Sequence, residues 1–175
     1  MPTGRPQHRD DPRLRKSCQS QRSPYADSKR ELFTVWPQTG TVDAFCAAVG
    51  TAEMLTGVSA SLREAGSKSR IVALEPASSP TLTTGTAGPH RVEGLATGIV
   101  PPLLAADAFN EARTVDGEGA RRTVLHLARQ EGIFASTSSA LNVSGAIRLA
   151  RELGEGHTVT PATGLKYLAG DLFED

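Results

Sequence analysis

Residues 42–65, VDAFCAAVGTAEMLTGVSASLREA, carry the pattern that decides the fold. The apolar run at 42–49 predicts a short buried β-strand. Apolar side chains then recur at helical spacing over 54–65, and Gly66 is placed to end that helix. A turn from strand to helix presents backbone N–H groups and often binds phosphate, but Glu53 brings a negative charge to this turn. A phosphate-binding loop, a weakened one and a plain turn therefore all stay open at this point.

The segments that follow predict an α/β protein. RIVALEPA (70–77) is typical of a second buried strand, and EARTV (111–115) is typical of a third. A strand, a helix and a strand at this spacing favour a right-handed crossover, which makes neighbouring strands parallel. Residues 78–101 are rich in Ser, Thr, Gly and Pro and predict a long loop. The expected architecture is a parallel sheet flanked by helices.

Two further helices and a last strand are predicted towards the C-terminus. One helix is expected over 119–130. The other is expected within STSSALNVSGAIRLARELG (136–154), with Ser138 or Ser139 as its N-cap. The segment HTVTPATGLKYLAGDLF, which follows, is expected to begin as a strand and to turn at Pro161.

The composition is that of an ordinary globular domain, with 175 residues, 38% hydrophobic residues and a formal net charge of +0. No apolar run reaches membrane-spanning length, and the N-terminus has no signal-peptide core. We therefore expect no membrane partner and a cytoplasmic location. Cys18 and Cys46 form no Cys-x-x-Cys pattern, which argues against a disulfide framework and against a zinc site.

The first thirty residues differ from the rest of the chain. They contain eight Lys or Arg, three Asp, four Pro and almost no aliphatic side chains. Such a segment buries too little apolar surface to offset the entropy lost on ordering, so residues 1–30 are expected to form a basic disordered arm. A nucleic-acid-binding arm is the alternative. The charges are scattered and no binding motif accompanies them, so we expect no nucleic-acid partner.

The order of segments in the remainder resembles a known family. VDAFCAAVGT, IVALEPASSP, GPHRVEG, GIVPPLL, LARQEGIFASTSSA and TGLKYLAGDLF follow one another as in the C-terminal half of cysteine synthase. That enzyme belongs to the fold-type-II pyridoxal-phosphate (PLP) family, with cystathionine β-synthase and the tryptophan synthase β chain. The resemblance covers residues 31–175 and implies an incomplete fold-type-II PLP enzyme domain, mostly the larger C-terminal domain, with PLP as its cofactor.

The resemblance implies where the cofactor's phosphate is held. The family's loop reads Gly-Thr-Gly-Gly-Thr after a strand like 42–49, and the matching residues here are Gly50, Thr51, Ala52, Glu53 and Met54. Ala52 fits this pattern if its backbone does not need a positive φ angle. Met54 removes a hydroxyl and Glu53 adds a charge that repels phosphate. The expected site is thus a weakened phosphate-binding loop.

Other positions of the resemblance are less well matched. Thr163 stands where the family has a Ser or Thr whose hydroxyl meets the pyridine nitrogen of PLP, so a cofactor-binding role is implied for it. Ser136 and Ala140 stand where the family has glycines, which puts a close backbone approach at these points in doubt.

The lysine to which PLP is attached lies in the N-terminal half of the family. The lysines of this chain match no part of that segment; they are Lys16, Lys29, Lys68 and Lys166. We therefore name no catalytic residue, and we expect a truncated chain that is inactive alone. A truncated gene, with the arm translated in an unselected reading frame, would explain both the arm and the missing half.

Three functions are consistent with these residues. The first is a cysteine-synthase-like β-replacement enzyme, which would convert O-acetylserine or a related serine derivative and sulfide to cysteine. The second is a non-catalytic remnant that binds PLP weakly or not at all. The third is an interaction module that docks with a homologous PLP-enzyme subunit. The implied partners are an amino-acid substrate for an active enzyme and a homo-oligomer or homologous subunit.

Overall fold

The computed structural model describes residues 41–92 and 94–161. The predicted arm at 1–30, the residues from 31 to 40 and the predicted cofactor residue Thr163 lie outside the described residues. The elements follow in the order β1 (Ala44–Ala48), α1 (Glu53–Glu64), β2 (Arg70–Pro76), α2 (Thr81–Thr84), β3 (Glu111–Val115), α3 (Gly117–His126), a π-helical turn (Leu127–Glu131), α4 (Thr137–Leu153) and β4 (Val159–Pro161).

The four strands form one parallel sheet in the order β3-β2-β1-β4. Cys46 of β1 lies beside Val72 of β2 on one side and beside Pro161 of β4 on the other. The predicted parallel sheet is therefore confirmed. Pro161 ends β4 at the edge of the described sheet, where a residue without a backbone N–H is tolerated.

Alternate residues of the central strands face opposite layers of helices. Phe45, Ala47 and Ile71 belong to a core on the α1 side, whereas Cys46 and Val72 belong to a core on the side of α3 and α4. This alternation follows from the two-residue period of a strand. Both faces of the sheet are covered, which explains why the strands read as continuous apolar runs in the sequence.

Helix α4 lies unusually close to the sheet at Gly145. A Cβ atom added at Gly145 would overlap the side chain of Leu74. The absence of a side chain thus lets α4 approach β2 and brings the start of the helix, at Thr137, to the carboxyl edge of the sheet.

Three predicted boundaries need correction. Helix α2 interrupts the segment that was expected to be a continuous loop over 78–101. Helix α3 begins at Gly117, because the carboxylate of Asp116 accepts hydrogen bonds from the first-turn amides of Glu118 and Gly119. The N-cap of α4 is Ser136, which accepts a hydrogen bond from the Ser139 amide; the expected caps, Ser138 and Ser139, lie inside the helix.

No helix in the described ranges is both long and apolar enough to cross a membrane.

Candidate phosphate-binding site

The candidate loop joins β1 to α1 at the carboxyl edge of the sheet, the edge at which open parallel sheets bind ligands. Ala52 is the N-cap of α1, and its side chain makes no capping hydrogen bond. The first amides of a helix have no partner within the helix, and together with the helix dipole they attract anions. The N-terminus of α1 therefore offers backbone donors and a favourable field to a phosphate group.

Ala52 has a positive φ of 70°, in the left-handed region. Ala52 was expected to fit the family's glycine pattern only if its backbone avoided a positive φ angle, and it does not avoid one. This conformation costs an L-residue about 1–2 kcal/mol, whereas glycine adopts it without this cost. The methyl group of Ala52 is buried in the core on the α1 side, so packing holds the alanine in a glycine-like conformation.

Gly50 allows a second loop to cover the first. A Cβ atom added at Gly50 would overlap the carbonyl oxygen of Gly94. The amide of Ala96 also donates to the carbonyl of Val49 at 3.3 Å. Residues 94–96 therefore lie directly on the start of the candidate loop, and only glycine at position 50 permits this approach.

His90 stabilises the segment that covers the candidate loop, residues 94–96, through hydrogen bonds. The amide of Val92 donates to Nδ1 of His90 at 3.3 Å, and Nε2 of His90 lies 3.1 Å from the carbonyl oxygen of Ala96. Both contacts are satisfied by a neutral imidazole with its hydrogen on Nε2. His90 thus links Val92 to Ala96, one of the residues that lie on Gly50.

The side chains of the loop are less favourable to an anion than its backbone. Thr51 is exposed and offers a hydroxyl, and Met54 is 38% exposed and offers none. Glu53 is half-buried in the first turn of α1, where a carboxylate stabilises the helix but repels a phosphate. The backbone fits a phosphate group, and Glu53 is expected to weaken its binding.

Asn142 of α4 anchors the strand that leads into the loop. Its Oδ1 atom accepts a hydrogen bond from the amide of Ala48 at 2.6 Å, and its backbone carbonyl lies 3.7 Å from Sγ of Cys46. Burial raises the pKa of the Cys46 thiol to about 12. Cys46 is therefore a neutral core side chain and not a nucleophile.

A cavity of about 590 Å³ lies at the carboxyl ends of β2 and β3, and His90 and Val92 form part of its lining. Its charged lining consists of Arg91, Arg121, Asp116 and Glu118, which carry both signs. The carboxylate of Asp116 is already engaged by the amides at the start of α3. The cavity is wide enough for a small metabolite, but its mixed charge does not select one class of ligand.

Five of the six predicted cofactor residues lie at the junction of β1 and α1: Gly50, Thr51 and Ala52 form the turn, and Glu53 and Met54 begin the helix. The sixth, Thr163, lies outside the described residues.

The positions expected to be glycine in α4 are tightly packed. Ser136 and Ala140 are both buried at the start of the helix, where Ser136 serves as its cap. Lys68, the one lysine in the described part of the chain, lies between α1 and β2 at the opposite edge of the sheet.

Three residues of this region were not predicted as site residues: Glu75, His90 and Asn142. Each acts through a hydrogen bond to a backbone group brought close by the fold. A glutamate inside the apolar strand 70–77 was the one signal in the sequence, because a buried carboxylate requires specific donors.

Comparison with known proteins identifies the family. The family model described as pyridoxal-phosphate dependent enzyme matches residues 26–164. The chain belongs to this family. The resemblance stated from the segment order is confirmed, and PLP is the cofactor of the family.

Individual relatives agree with the family match. A cysteine synthase of Staphylococcus aureus is 38% identical over 136 residues, which are 76% of this chain and 44% of the relative. The solved cysteine synthase of Entamoeba histolytica aligns with a TM-score of 0.77 at 27% identity, covering 86% of this chain and 46% of that one. O-ureido-L-serine synthase aligns with a TM-score of 0.75 at 34% identity, covering 85% and 49%. The chain thus spans about half the length of these relatives.

Proposed function

We propose that this chain holds the phosphate of PLP in a cysteine-synthase-like site. The observation that carries the proposal is the uncapped N-terminus of α1 behind β1, in a chain similar to cysteine synthases. The backbone amides of residues 50–54 would hold the phosphate, and the hydroxyl of Thr163 would face the pyridine nitrogen. When bound, PLP supplies an electron sink that labilises bonds at the α-carbon of an amino acid.

The proposed reaction is a β-replacement on an amino-acid substrate. The β-substituent of O-acetylserine, or of a related serine derivative, would be exchanged for sulfide to give cysteine. The support is the similarity to proteins named cysteine synthase, including a relative at 38% identity. Residues 50–54 would bind the phosphate of PLP and orient the cofactor. They would not transfer a proton in the reaction.

We further propose that these 175 residues do not catalyse the reaction by themselves. Lys68 lies in the turn between α1 and β2, at the amino edge of the sheet, whereas the candidate loop lies at the carboxyl edge. It is therefore on the wrong side of the sheet to serve the cofactor. Catalysis would require a lysine from a further segment, such as the part of the relatives that this chain does not match.

Titration calorimetry with PLP and with pyridoxal, which lacks the phosphate, tests the binding proposal. We expect PLP to bind and pyridoxal to bind much more weakly. Thr51→Val should weaken PLP binding because it removes a loop hydroxyl, and Thr86→Val, at an exposed threonine outside the loop, should not. Equal binding of the two ligands, or no binding of PLP, would overturn the proposal.

Formation of cysteine from O-acetylserine and sulfide tests the catalytic part. We expect no cysteine above the rate without protein. Treatment with borohydride in the presence of equimolar PLP should label no single lysine in preference to the other exposed amines, as mass spectrometry would show. Turnover, or stoichiometric labelling of one lysine, would contradict the proposed need for a further segment.

An interaction module is the second candidate function. Exposed apolar side chains border the candidate loop: Ile99 is 63% exposed and Val100 is 46% exposed. They lie on a segment held to the loop region at both ends, by the Ala96–Val49 hydrogen bond and by the Thr56 hydroxyl, which donates to the Leu103 carbonyl at 3.2 Å. Apolar side chains beside a cofactor-binding edge are typical of a surface that another protein covers. A homologous PLP-enzyme subunit is the proposed partner.

Sedimentation of the chain with the Staphylococcus aureus cysteine synthase tests this second function. We expect a complex that is lost with Ile99→Asp. Ile147→Asp is the matched control, because Ile147 is 42% exposed on the outer face of α4. A monomer that stays separate from the relative would reject the interaction module and leave the PLP-binding proposal intact.

A further inference from the structure

Glu75 is a carboxylate in the interior of the protein. It lies near the carboxyl end of β2 and is 2% exposed. Burial of a carboxylate is costly unless donors satisfy it. Oε2 accepts a hydrogen bond from the Leu82 amide at 2.7 Å, and Oε1 accepts from the amide and the hydroxyl of Thr83 at 2.9 and 2.7 Å. Three donors from one short segment therefore compensate the burial of this side chain.

The donors belong to α2, a helix of a single turn. It has four residues, and its N-cap, Pro80, provides no side-chain hydrogen bond. A single helical turn is unstable alone, because one turn forms too few hydrogen bonds to offset the ordering of its backbone. The carboxylate of Glu75 serves as the cap of α2 from a neighbouring strand.

Helix α2 lies beside the strand end from which the candidate loop starts, and Leu82 packs against the core that contains Val49. Thr81 and Leu82 line a gap of about 10 Å³ together with Glu75, Val49 and Ala96. The gap is about the size of one water molecule, and the hydroxyl of Thr81 is buried there without a hydrogen-bond partner in the described part of the chain.

Val49 connects the residues around this gap to the candidate loop. It immediately precedes Gly50; its amide donates to the Leu74 carbonyl at 2.9 Å, and its carbonyl accepts from the Ala96 amide at 3.3 Å. Glu75 follows Leu74 directly in the strand. The residue that fixes α2 thus lies next to the contacts that fix the first residues of the loop.

We infer that Glu75 is a positioning residue for the candidate phosphate-binding loop. It does not touch the phosphate. It holds α2, and α2 holds Val49 and the covering segment at Ala96 in the places that set the spacing of the Gly50–Glu53 amides. This inference deepens the proposed function and rests on it.

Glu75→Gln tests the inference, because the side chain keeps its shape but turns one acceptor into a donor that faces an N–H group. In the ligand-free protein, we expect the amide resonances of residues 50–53 to shift and their hydrogen exchange to accelerate. We expect PLP affinity to fall several-fold. Glu152→Gln is the matched control: it also removes a hydrogen-bonded carboxylate, but at the far end of α4, near the amino edge of the sheet. It should change thermal stability without changing these amides.

Thr83→Val provides an independent variant, since it removes the hydroxyl donor and keeps the volume. It should produce the same changes to a smaller degree, and it decides the question where Glu75→Gln does not fold. Unchanged amide resonances at 50–53 in the folded variants would overturn the inference. Failure of the wild-type protein to bind PLP would overturn the proposed function instead, and the ligand-free resonances would still show whether Glu75 shapes the loop.

Discussion

Oδ1 of Asn142 accepts a hydrogen bond from the backbone amide of Ala48 at 2.6 Å, and this bond completes β1 just before the candidate loop. On that side of β1, the described residues of β4 pair with β1 as far as Cys46. The amide of Ala48 therefore has no strand partner among the described residues. A backbone amide shielded from water is costly without an acceptor, and Asn142 of α4 provides that acceptor.

Asn142→Ala should lower the free energy of unfolding by about 1–3 kcal/mol, because it removes a buried side chain and leaves the Ala48 amide without its acceptor. Urea denaturation measures this loss. Asn110→Ala is the matched control: Asn110 accepts a bond of 2.7 Å from the Ile71 amide, but Asn110 is exposed whereas Asn142 is buried. A loss at Asn142 no larger than that at Asn110 would show that the Ala48 bond contributes little.

Ala52→Gly should change stability by less than about 1 kcal/mol, because two effects oppose each other. Glycine relieves the left-handed conformation at φ 70°, but it removes a buried methyl group and makes the unfolded chain more flexible. Ala60→Gly, at an exposed position inside α1, should cost about 1 kcal/mol. Thermal unfolding compares the two variants. An equal loss at both positions would mean that Ala52 is unstrained.

The sequence was sufficient to predict the sheet and its main helices, because these depend on local patterns. The apolar runs at 42–49 and 70–77 are buried on both faces, and the helix between them has an apolar face. The parallel direction of β1 and β2 follows from the crossover. The location of the loop at residues 50–54 follows from the same pattern.

The details of the site depend on distant contacts and were not predictable in the same way. Ser136, Ser138 and Ser139 all have the chemistry of an N-cap, and the tertiary fold selects Ser136. Nothing in Gly-Thr-Ala indicates that the alanine takes a positive φ. The role of Glu75 depends on a hydrogen bond to a helix seven residues away, within a segment that reads as a loop.

Glu53→Gln should raise the affinity for PLP by about two- to fivefold, corresponding to about 0.3–1 kcal/mol of removed repulsion. The same change should lower stability slightly, since a carboxylate in the first turn favours the helix. Calorimetric titration at low salt measures the affinity, and added salt should reduce the difference between the variant and the wild type.

Glu64→Gln is the control for this prediction, because Glu64 is exposed at the other end of α1. It should leave PLP affinity unchanged. An equal gain from both variants would indicate an effect of net charge alone, and no gain from Glu53→Gln would show that the Glu53 carboxylate points away from the bound phosphate.

Glu152→Gln should lower the melting temperature at neutral pH. The hydrogen bond from Arg113, at 2.7 Å, holds the pKa of the Glu152 carboxyl below its ordinary value of 4.5. A lowered pKa in the folded state means that the ionised carboxylate stabilises the fold above pH 4.5, and that this contribution disappears as the pH falls through the folded-state pKa. The difference in melting temperature should therefore shrink below pH 4.5.

Glu155→Gln is the matched control, since Glu155 is exposed in the turn after α4. The melting temperature of the Glu155→Gln variant should equal that of the wild type at each pH. A difference for Glu152→Gln that persists unchanged at pH 3 would contradict the electrostatic explanation.

Cys46 should resist alkylation in the folded protein and react only when the protein unfolds. Burial raises the pKa of its thiol from 9.0 to about 12, which lowers the reactive thiolate fraction about a thousandfold at pH 8. In a Cys18→Ser background, labelling by iodoacetamide follows this one thiol, and mass spectrometry at increasing urea should give a labelling midpoint that coincides with the loss of circular dichroism. Rapid labelling with the helical signal intact would show that β1 opens locally and would argue against a rigid strand leading into the candidate loop.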